Sequence, residues 1–339
     1  MTLTPLHESA QQGNALGLPW LVADVGGTNA RFGWVDSLAD GVQHVRTLPV
    51  AEHAEPAHAV RAYLAYVAEA VRGGFRPPKR AAIAVATAVT DDRVRLTNSH
   101  WHFSRQALQA DLCLDALLVL NDFEALALSL PRLTPGQLRA HGELPRHDAT
   151  LAVLGPGTGL GVAGVMPTRH GWLAISGEGG HATIAPADDF ESELLRHVRR
   201  EFAHVSAERL LSGIGLPVLH RAVGAVLGIS VEALAPETVV ERGLAEADAV
   251  CSRSLDVFCA LLGGFAGNVA LTMGARGGVY IGGGIVPRLG ERFFSSAFRE
   301  RFEAKGRFQG YLKAIPTAII GDTLAALSGA ALAIEQHGN

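Results

Sequence analysis

Cysteine is scarce in this 339-residue chain, with only Cys113, Cys251 and Cys259. The number is odd and no C-x-x-C spacing occurs, which excludes a disulfide framework and a cysteine-rich zinc site and leaves reduced, core-filling thiols. An excess of basic charge is also missing. The formal net charge is −4 and the isoelectric point lies near 6.4, so the Lys/Arg excess that phosphate-backbone binding requires is absent and nucleic acid is not an expected partner. No apolar run reaches membrane-spanning length without a Gly or a charge interrupting it. Residues 1–16 contain neither the basic nor the apolar region of a signal peptide and read as a flexible extension, so a cytoplasmic protein with no membrane partner is expected. A Walker-type G-x-x-x-x-G-K-[ST] loop is missing as well.

What the chain does have is apolar residues, 48% against 18% charged, enough to build substantial cores in a chain whose length suggests two domains. The stretch Leu21–Val35 holds two apolar runs separated by Gly26-Gly27-Thr28-Asn29, the pattern of a β-hairpin. Asp24 ends the first run, where a carboxylate suits a water-coordinated Mg²⁺; the glycines expose backbone N–H groups and Thr28 adds a hydroxyl, so the turn suits phosphate oxygens. An ordinary β-turn has the same local signature. A second copy of the pattern, Leu151–Val165 with Gly157-Thr158-Gly159 at its turn, argues for two similar domains that each lend a Gly/Thr hairpin to one polyphosphate. The formal G-x-G-x-x-G at Gly159, Gly161 and Gly164 is followed by Val165-Met166-Pro167 where a dinucleotide fold needs a helix.

Between the copies the pattern is that of an α/β domain. A third strand is expected over 42–50. Val60, Leu64, Val67 and Val71 form one helical stripe stopped at Gly73-Gly74, and the runs 81–87 and 116–120 read as buried strands. Ser104 caps a short helix to about Leu112. Asn121 and Asp122 follow the last of these strands and open a helix that ends at Pro131; a strand's carboxyl end is where ligands collect, and it is also where either residue serves as a helix cap. Further on, Ser176–His181 sets Glu178 and His181 among glycines, and Glu208 lies in 204–213 after a helix-capping Ser206. Glu178, His181, His204 and Glu208 lack a recognised zinc-ligand spacing. A long helix is expected from near Ala245 to Met273, then a strand emptying into Gly282-Gly283-Gly284, a turn able to lie flat on a base or ribose, and a last strand at 317–320 leading into an apolar helix from Asp322.

Taken in order, D-V-G-G-T-N at Asp24, L-N-D-F at Leu120, G-x-G-T-G-L-G at Gly155, G-E-G-G-H at Gly177, S-A-E-R-L-L-S-G at Ser206 and G-G-G-I-V-P-R at Gly282 closely resemble the bacterial ATP-dependent glucokinases of the non-ROK type, from about Leu18 onward. Each motif is weak alone; the ordered set is specific. The resemblance implies the actin-like (ribonuclease H-like) ATPase fold, with two α/β domains and an active-site cleft between them: a small one of residues 17–132 plus about 322–339, and a large one of 133–321. It also implies a homodimer that uses ATP and Mg²⁺ to phosphorylate glucose at the start of glycolysis. Carried over by position, Ala23, Asp24, Val25, Gly26, Gly27, Thr28, Gly157, Thr158 and Gly159 hold ATP phosphates, with Gly282, Gly283 and Gly284 near the adenosine. Asn121, Asp122, Glu178, His181 and Glu208 grip the sugar, and Asp122 is the catalytic base. Ala23 departs from the family, which often has Gly there, and the cysteine-rich zinc motif of ROK kinases is missing. The competing class is an actin-like, ATP-binding sugar sensor without turnover, which an ADP-release assay across hexoses separates from a kinase for glucose or for another hexose.

Overall fold

Residues rich in β-branched and aromatic side chains form the strands. In the computed structural model, which describes residues 17–337, the first hairpin becomes β1 (Trp20–Val25) and β2 (Asn29–Val35), antiparallel, with Trp20 opposite Val35 and Val25 opposite Ala30. The extension expected at residues 1–16 lies outside the described residues. β3 (Gln43–Pro49) pairs with β2, and after α1 (Pro56–Ala70) comes β4 (Arg80–Val85), parallel to β1. A small ribbon of β5 (Arg93–Arg95) and β6 (His102–Ser104) precedes α2 (Arg105–Asp111), which Ser104 caps by accepting from Ala107 N at 3.1 Å. β7 (Ala116–Asn121) completes a five-stranded sheet of order β3-β2-β1-β4-β7 and leads directly into α3 (Asp122–Ser129).

The alternation of side chains along a strand decides what each face of this sheet covers. Leu21, Ala23, Val25, Ile83, Val85 and Val119 share one core with Val60, Tyr63 and Val67 of α1. Trp20, Val22, Val35 and Ala82 point the other way, into a core with Leu327, Ala330 and Ile334 of the helix Ala325–His337, where Leu118 also packs. That helix crosses α3 at Gly329, where an added Cβ would lie 1.7 Å from Ala125 O.

The second copy of the hairpin is formed by β9 (Leu151–Pro156) and β10 (Leu160–Thr168), with Leu160 opposite Pro156 and Val165 opposite Leu151. With β8 (Leu138–His141), β11 (Gly171–Ile175), β12 (Gly278–Ile281) and β13 (Thr317–Ile320) it makes a sheet of order β11-β10-β9-β12-β13-β8. β12 runs parallel to β9 as β4 runs parallel to β1, so the duplication extends beyond the hairpin to the strand beside it. The longer helices here are α4 (Asp189–Val198), α5 (Leu216–Leu227), α6 (Pro236–Leu244) and α7 (Ala249–Met273). The chain divides into two units, one running to Arg132 with Thr168–Ala174 and the stretch from Thr323, the other comprising Leu133–Pro167 and Ile175–Asp322.

Several local expectations are corrected. The long helix begins at Ala249, not near Ala245: Ala245 closes α6, Glu246 is left-handed at φ +54°, and Asp248 caps α7 by accepting from Val250 N and Cys251 N at 2.8 and 2.9 Å. Ser206 starts no helix; its Oγ accepts from Arg209 N at 3.2 Å inside a run of turns that lasts until α5. The helix expected from Asp322 begins at Ala325. Of the three thiols, Cys251 and Cys259 fill the core, whereas Cys113 is exposed, because it sits in the left-handed turn (φ +53°) that ends α2. By length and apolar composition alone α7 could cross a membrane, but 67% of its most apolar window is buried within the fold, as expected of a central core helix.

The Gly329 contact sets how closely the helix that carries Asp122 can be backed. Gly329→Ala must push backbone apart and is expected to destabilise the protein by about 1–3 kcal/mol, read as a lower urea midpoint. An unchanged midpoint would show that the helices separate without cost.

Candidate active site

Register places two carboxylates together in the first unit. Asp24 continues the Trp20–Val22 face of β1, and its neighbours across the parallel strands are Ala84 and then Leu120. Leu118, Leu120 and Asp122 follow the same alternation along β7 and into α3, so both acids belong to one face at the carboxyl end of the sheet. Asn121 alternates to the other face and supplies the helix cap: its Oδ1 accepts from Phe123 N at 2.9 Å and Glu124 N at 3.3 Å, and its Nδ2 donates to Thr87 O at 3.2 Å. The cap is thus Asn121, while Asp122 is the first residue of the helix, with one oxygen accepting from Phe123 N at 3.0 Å.

The electrostatics follow from this placement. Burial raises the Asp122 carboxyl to about 6, the negative charge of Asp24 pushes in the same direction, and the bond from Phe123 N opposes both. Asp24 is raised as well, again chiefly by burial, and is held down in part by Arg31, its partner across the hairpin. Arg31 is itself anchored, donating to Thr323 O. A carboxyl poised near 6 can exchange a proton close to neutral pH. The hairpin turn beside it is closed by Gly26 N donating to Asn29 O at 2.9 Å, and Thr28 is exposed at its tip.

In the second unit Glu178, His181 and Glu208 come together. His181 Nε2 lies 4.0 Å from Glu178 Oε2 and its Nδ1 3.9 Å from Glu208 Oε1. Glu178 and His181 are exposed, whereas the Glu208 side chain is 22% exposed and its Oε2 accepts from Leu160 N at 2.9 Å. That bond ties Glu208 to the second Gly/Thr turn, where a Cβ at Gly159 would sit 2.4 Å from the same oxygen. The loop's glycines have a packing reason too: at Gly180 a Cβ would lie 1.9 Å from Leu160 O. His204 instead lies with its Nε2 3.0 Å from Thr183 Oγ1.

Gly282–Gly284 turns back against the end of β9. Gly283 adopts φ +76°, and a Cβ there would meet Pro156 O at 2.3 Å, so only glycine fits. Beyond this turn opens a cavity of about 410 Å³, bounded by Gly157, Thr158, Gly284 and Ile285, by Gly213, Ile214 and Pro217, and by Pro236, Glu237 and Val240 of α6, with Arg288 at its side. Its size suits a nucleoside, and its apolar walls with a few polar groups suit a base and ribose. Sequence reasoning reached the two glycine turns but missed Ile214, Pro236, Glu237, Val240 and Arg288. Only Arg288 carried a signal, as the last residue of the triple-glycine motif.

A family model described as Glucokinase matches residues 21–337. The chain belongs to the glucokinase family. It is 49% identical to a glucokinase of Chromobacterium violaceum over 94% of this chain and 90% of that protein. It is 43% identical to a glucokinase of Neisseria meningitidis over 95% of this chain and 96% of that one. Among solved structures, a glucokinase from an Antarctic psychrotroph superposes with a TM-score of 0.86 at 36% identity, covering 94% of this chain and 98% of that one. The α/β architecture is accordingly that of the actin-like ATPases, as the motifs implied.

The carboxylate pair makes a direct electrostatic prediction. In Asp24→Asn the repulsion is gone, so the Asp122 titration, followed by carboxyl NMR of the ligand-free protein, moves from about 6 toward the ordinary carboxylate value. It stays above that value, because burial is the larger cause. A midpoint left at about 6 would mean that Asp24 does not act on Asp122.

Proposed function

We propose that this member of the glucokinase family transfers the γ-phosphoryl group of ATP to the 6-hydroxyl of D-glucose, giving glucose 6-phosphate and ADP, with Asp122 as the base. The observation that carries the assignment of the base is the half-buried carboxyl of Asp122, raised to about 6 at the carboxyl end of a parallel strand, with the capping work done by its neighbour. Phosphoryl transfer asks a protein for positioning, for neutralisation of phosphate charge and for an oriented nucleophile. Asp122, ionised at neutral pH, accepts the proton of the attacking hydroxyl. Its orientation is held by Phe123 N, and Asn121, fixed to Thr87 and the helix start, leaves little freedom in the backbone that carries it.

The second unit supplies sugar and nucleotide contacts in this reading. Glu178, His181 and Glu208 take sugar hydroxyls, with Glu208 braced by Leu160 N so that its remaining oxygen keeps a fixed direction. Thr158 and Gly159 present backbone N–H groups to phosphates, as do Gly27 and Thr28 in the first unit, while Gly26 N and Gly157 N close the two turns by donating to Asn29 O and Gly159 O. The cavity bounded by Gly284, Ile285 and α6 takes the adenosine. Asp24 fits a Mg²⁺ that arrives with the nucleotide: it is one carboxylate, raised by burial and paired only in part by Arg31, and among the described residues it belongs to no cluster of three metal-ligating side chains. Mg²⁺ bound there would draw charge from the phosphate oxygens. The family resemblance further supports a cytoplasmic homodimer feeding glucose 6-phosphate into glycolysis.

Asp122→Asn separates base from scaffold, since the amide can still accept from Phe123 N but cannot take a proton. The variant is expected to lose about 10²–10⁴-fold in kcat while glucose affinity is largely kept. It should also be more stable than the parent at neutral pH. A carboxyl raised from 3.8 to about 6 on folding opposes the folded state once both states are ionised; the shift corresponds to at most about 3 kcal/mol. That advantage shrinks as pH falls from 6 towards 4, where the folded carboxyl binds its proton before the unfolded one does. Thermal melts at several pH values and a coupled ADP-release assay read both effects, and turnover near the parent rate would remove Asp122 as the base.

A further inference from the structure

Outside the residues assigned to sugar and nucleotide, one cluster joins three metal-capable side chains from two helices. His220 lies in the second turn of α5, Asp248 caps α7, and Cys251 lies in the first turn of α7. One donor atom from each lies within 4.8 Å of the other two, the only such trio among the described residues. His220 is 1% exposed, and neither of its ring nitrogens has a hydrogen-bond partner. An imidazole stranded in this way is costly unless something satisfies it. Cys251 is fully buried beside it, and Asp248 is partly exposed, leaving a way in from solvent.

We propose that His220, Asp248 and Cys251 bind a divalent transition metal, Zn²⁺ in the first instance, that staples α5 to the start of α7. Imidazole, carboxylate and thiolate are the three ligand types zinc takes, and donors around a tetrahedral zinc stand about 3.3–3.8 Å apart, so small side-chain rotations close the observed spacing. Binding replaces the S–H bond of Cys251 with a metal–sulfur bond and releases the proton to solvent. The start of α7 favours the thiolate once a cation is present; without one, burial holds the thiol protonated, up to about 11, and keeps His220 neutral. The other charges around the cluster are paired: Arg242 of α6 with Glu232 at 2.6 Å, and Arg221 of α5 with Glu201 at 3.0 Å. Neither guanidinium therefore opposes a cation with an unscreened charge. A metal here also ties down the helices on either side of α6, whose Pro236, Glu237 and Val240 form one wall of the 410 Å³ cavity.

The test uses the whole protein, stripped with a chelator and titrated with Co²⁺. One equivalent should bind with a thiolate-to-cobalt charge-transfer band that Zn²⁺ abolishes, and Zn²⁺ should raise the melting temperature. Cys251→Ser should remove the band, while Cys259→Ser, which changes the other buried thiol of α7, should keep it. Asp248→Asn preserves the helix cap but removes the anionic ligand. It should weaken binding by at least about 100-fold, the upper range for loss of a mere outer-shell partner, so it tests the site even if the cysteine variant does not fold. Absence of the band in folded parent protein, its survival in Cys251→Ser, or unchanged affinity in Asp248→Asn would overturn the site, as would a crystal structure in which water alone bridges His220.

Discussion

Two negative charges forced onto one face at the carboxyl end of a sheet are the constraint around which the first unit is arranged. β1 and β7 are separated only by β4, all three run parallel, and the alternation of side chains leaves Asp24 and Asp122 no way to point apart. Burial in a medium less polar than water magnifies their repulsion and removes the hydration each ion would otherwise have. The surrounding residues relieve part of this cost. Arg31 stands across the hairpin from Asp24, and Phe123 N donates to Asp122. What remains is a carboxyl whose proton leaves near 6, which is costly for folding and useful for a proton-transfer step.

The second unit repeats the hairpin and its parallel neighbour but spends them differently. Where β1 carries Asp24 one residue before its end, β9 carries Gly155, and the strand finishes against the triple-glycine turn. The absence of a side chain lets Gly283 pack on Pro156 and opens the large cavity beyond it. Acid chemistry then comes from the loops after β10, where Glu208 leans on Leu160 N. One duplicated scaffold therefore yields a charged strand end in one unit and a largely apolar hollow in the other.

How much of this was readable from the chain depended on how local each signal was. The hairpins were legible because a Gly/Thr turn between apolar runs is a short-range pattern, and finding it twice removed most of its ambiguity. Asn121 and Asp122 could not be told apart as caps, since both residue types cap well and stand side by side; only the register of β7, which turns them to opposite faces, separates them. The start of the long helix is not legible, because Ala245 is a good helix former and nothing local announces the left-handed Glu246 that separates it from Ala249. Composition points Cys113 to the core, yet the turn that ends α2 carries it outward. The cavity wall was invisible for a different reason: Ile214, Val240 and Arg288 are far apart in the chain and meet only through the packing of α5 and α6 on α7.

The most direct test of the account is the pH dependence of kcat/KM for glucose at saturating ATP, since it reports ionisations of the enzyme before glucose binds. An acid limb with its midpoint above the ordinary carboxylate range, shown by solvent-isotope and substrate-analogue controls to arise from the enzyme and not from ATP, is the predicted result, because burial, the larger cause of the Asp122 shift, remains when Mg²⁺ and nucleotide offset the charge of Asp24. A profile flat down to the ordinary carboxylate range would contradict it, because Asp122 would then be a carboxylate like any other and the strand-end pair would have no part in the reaction.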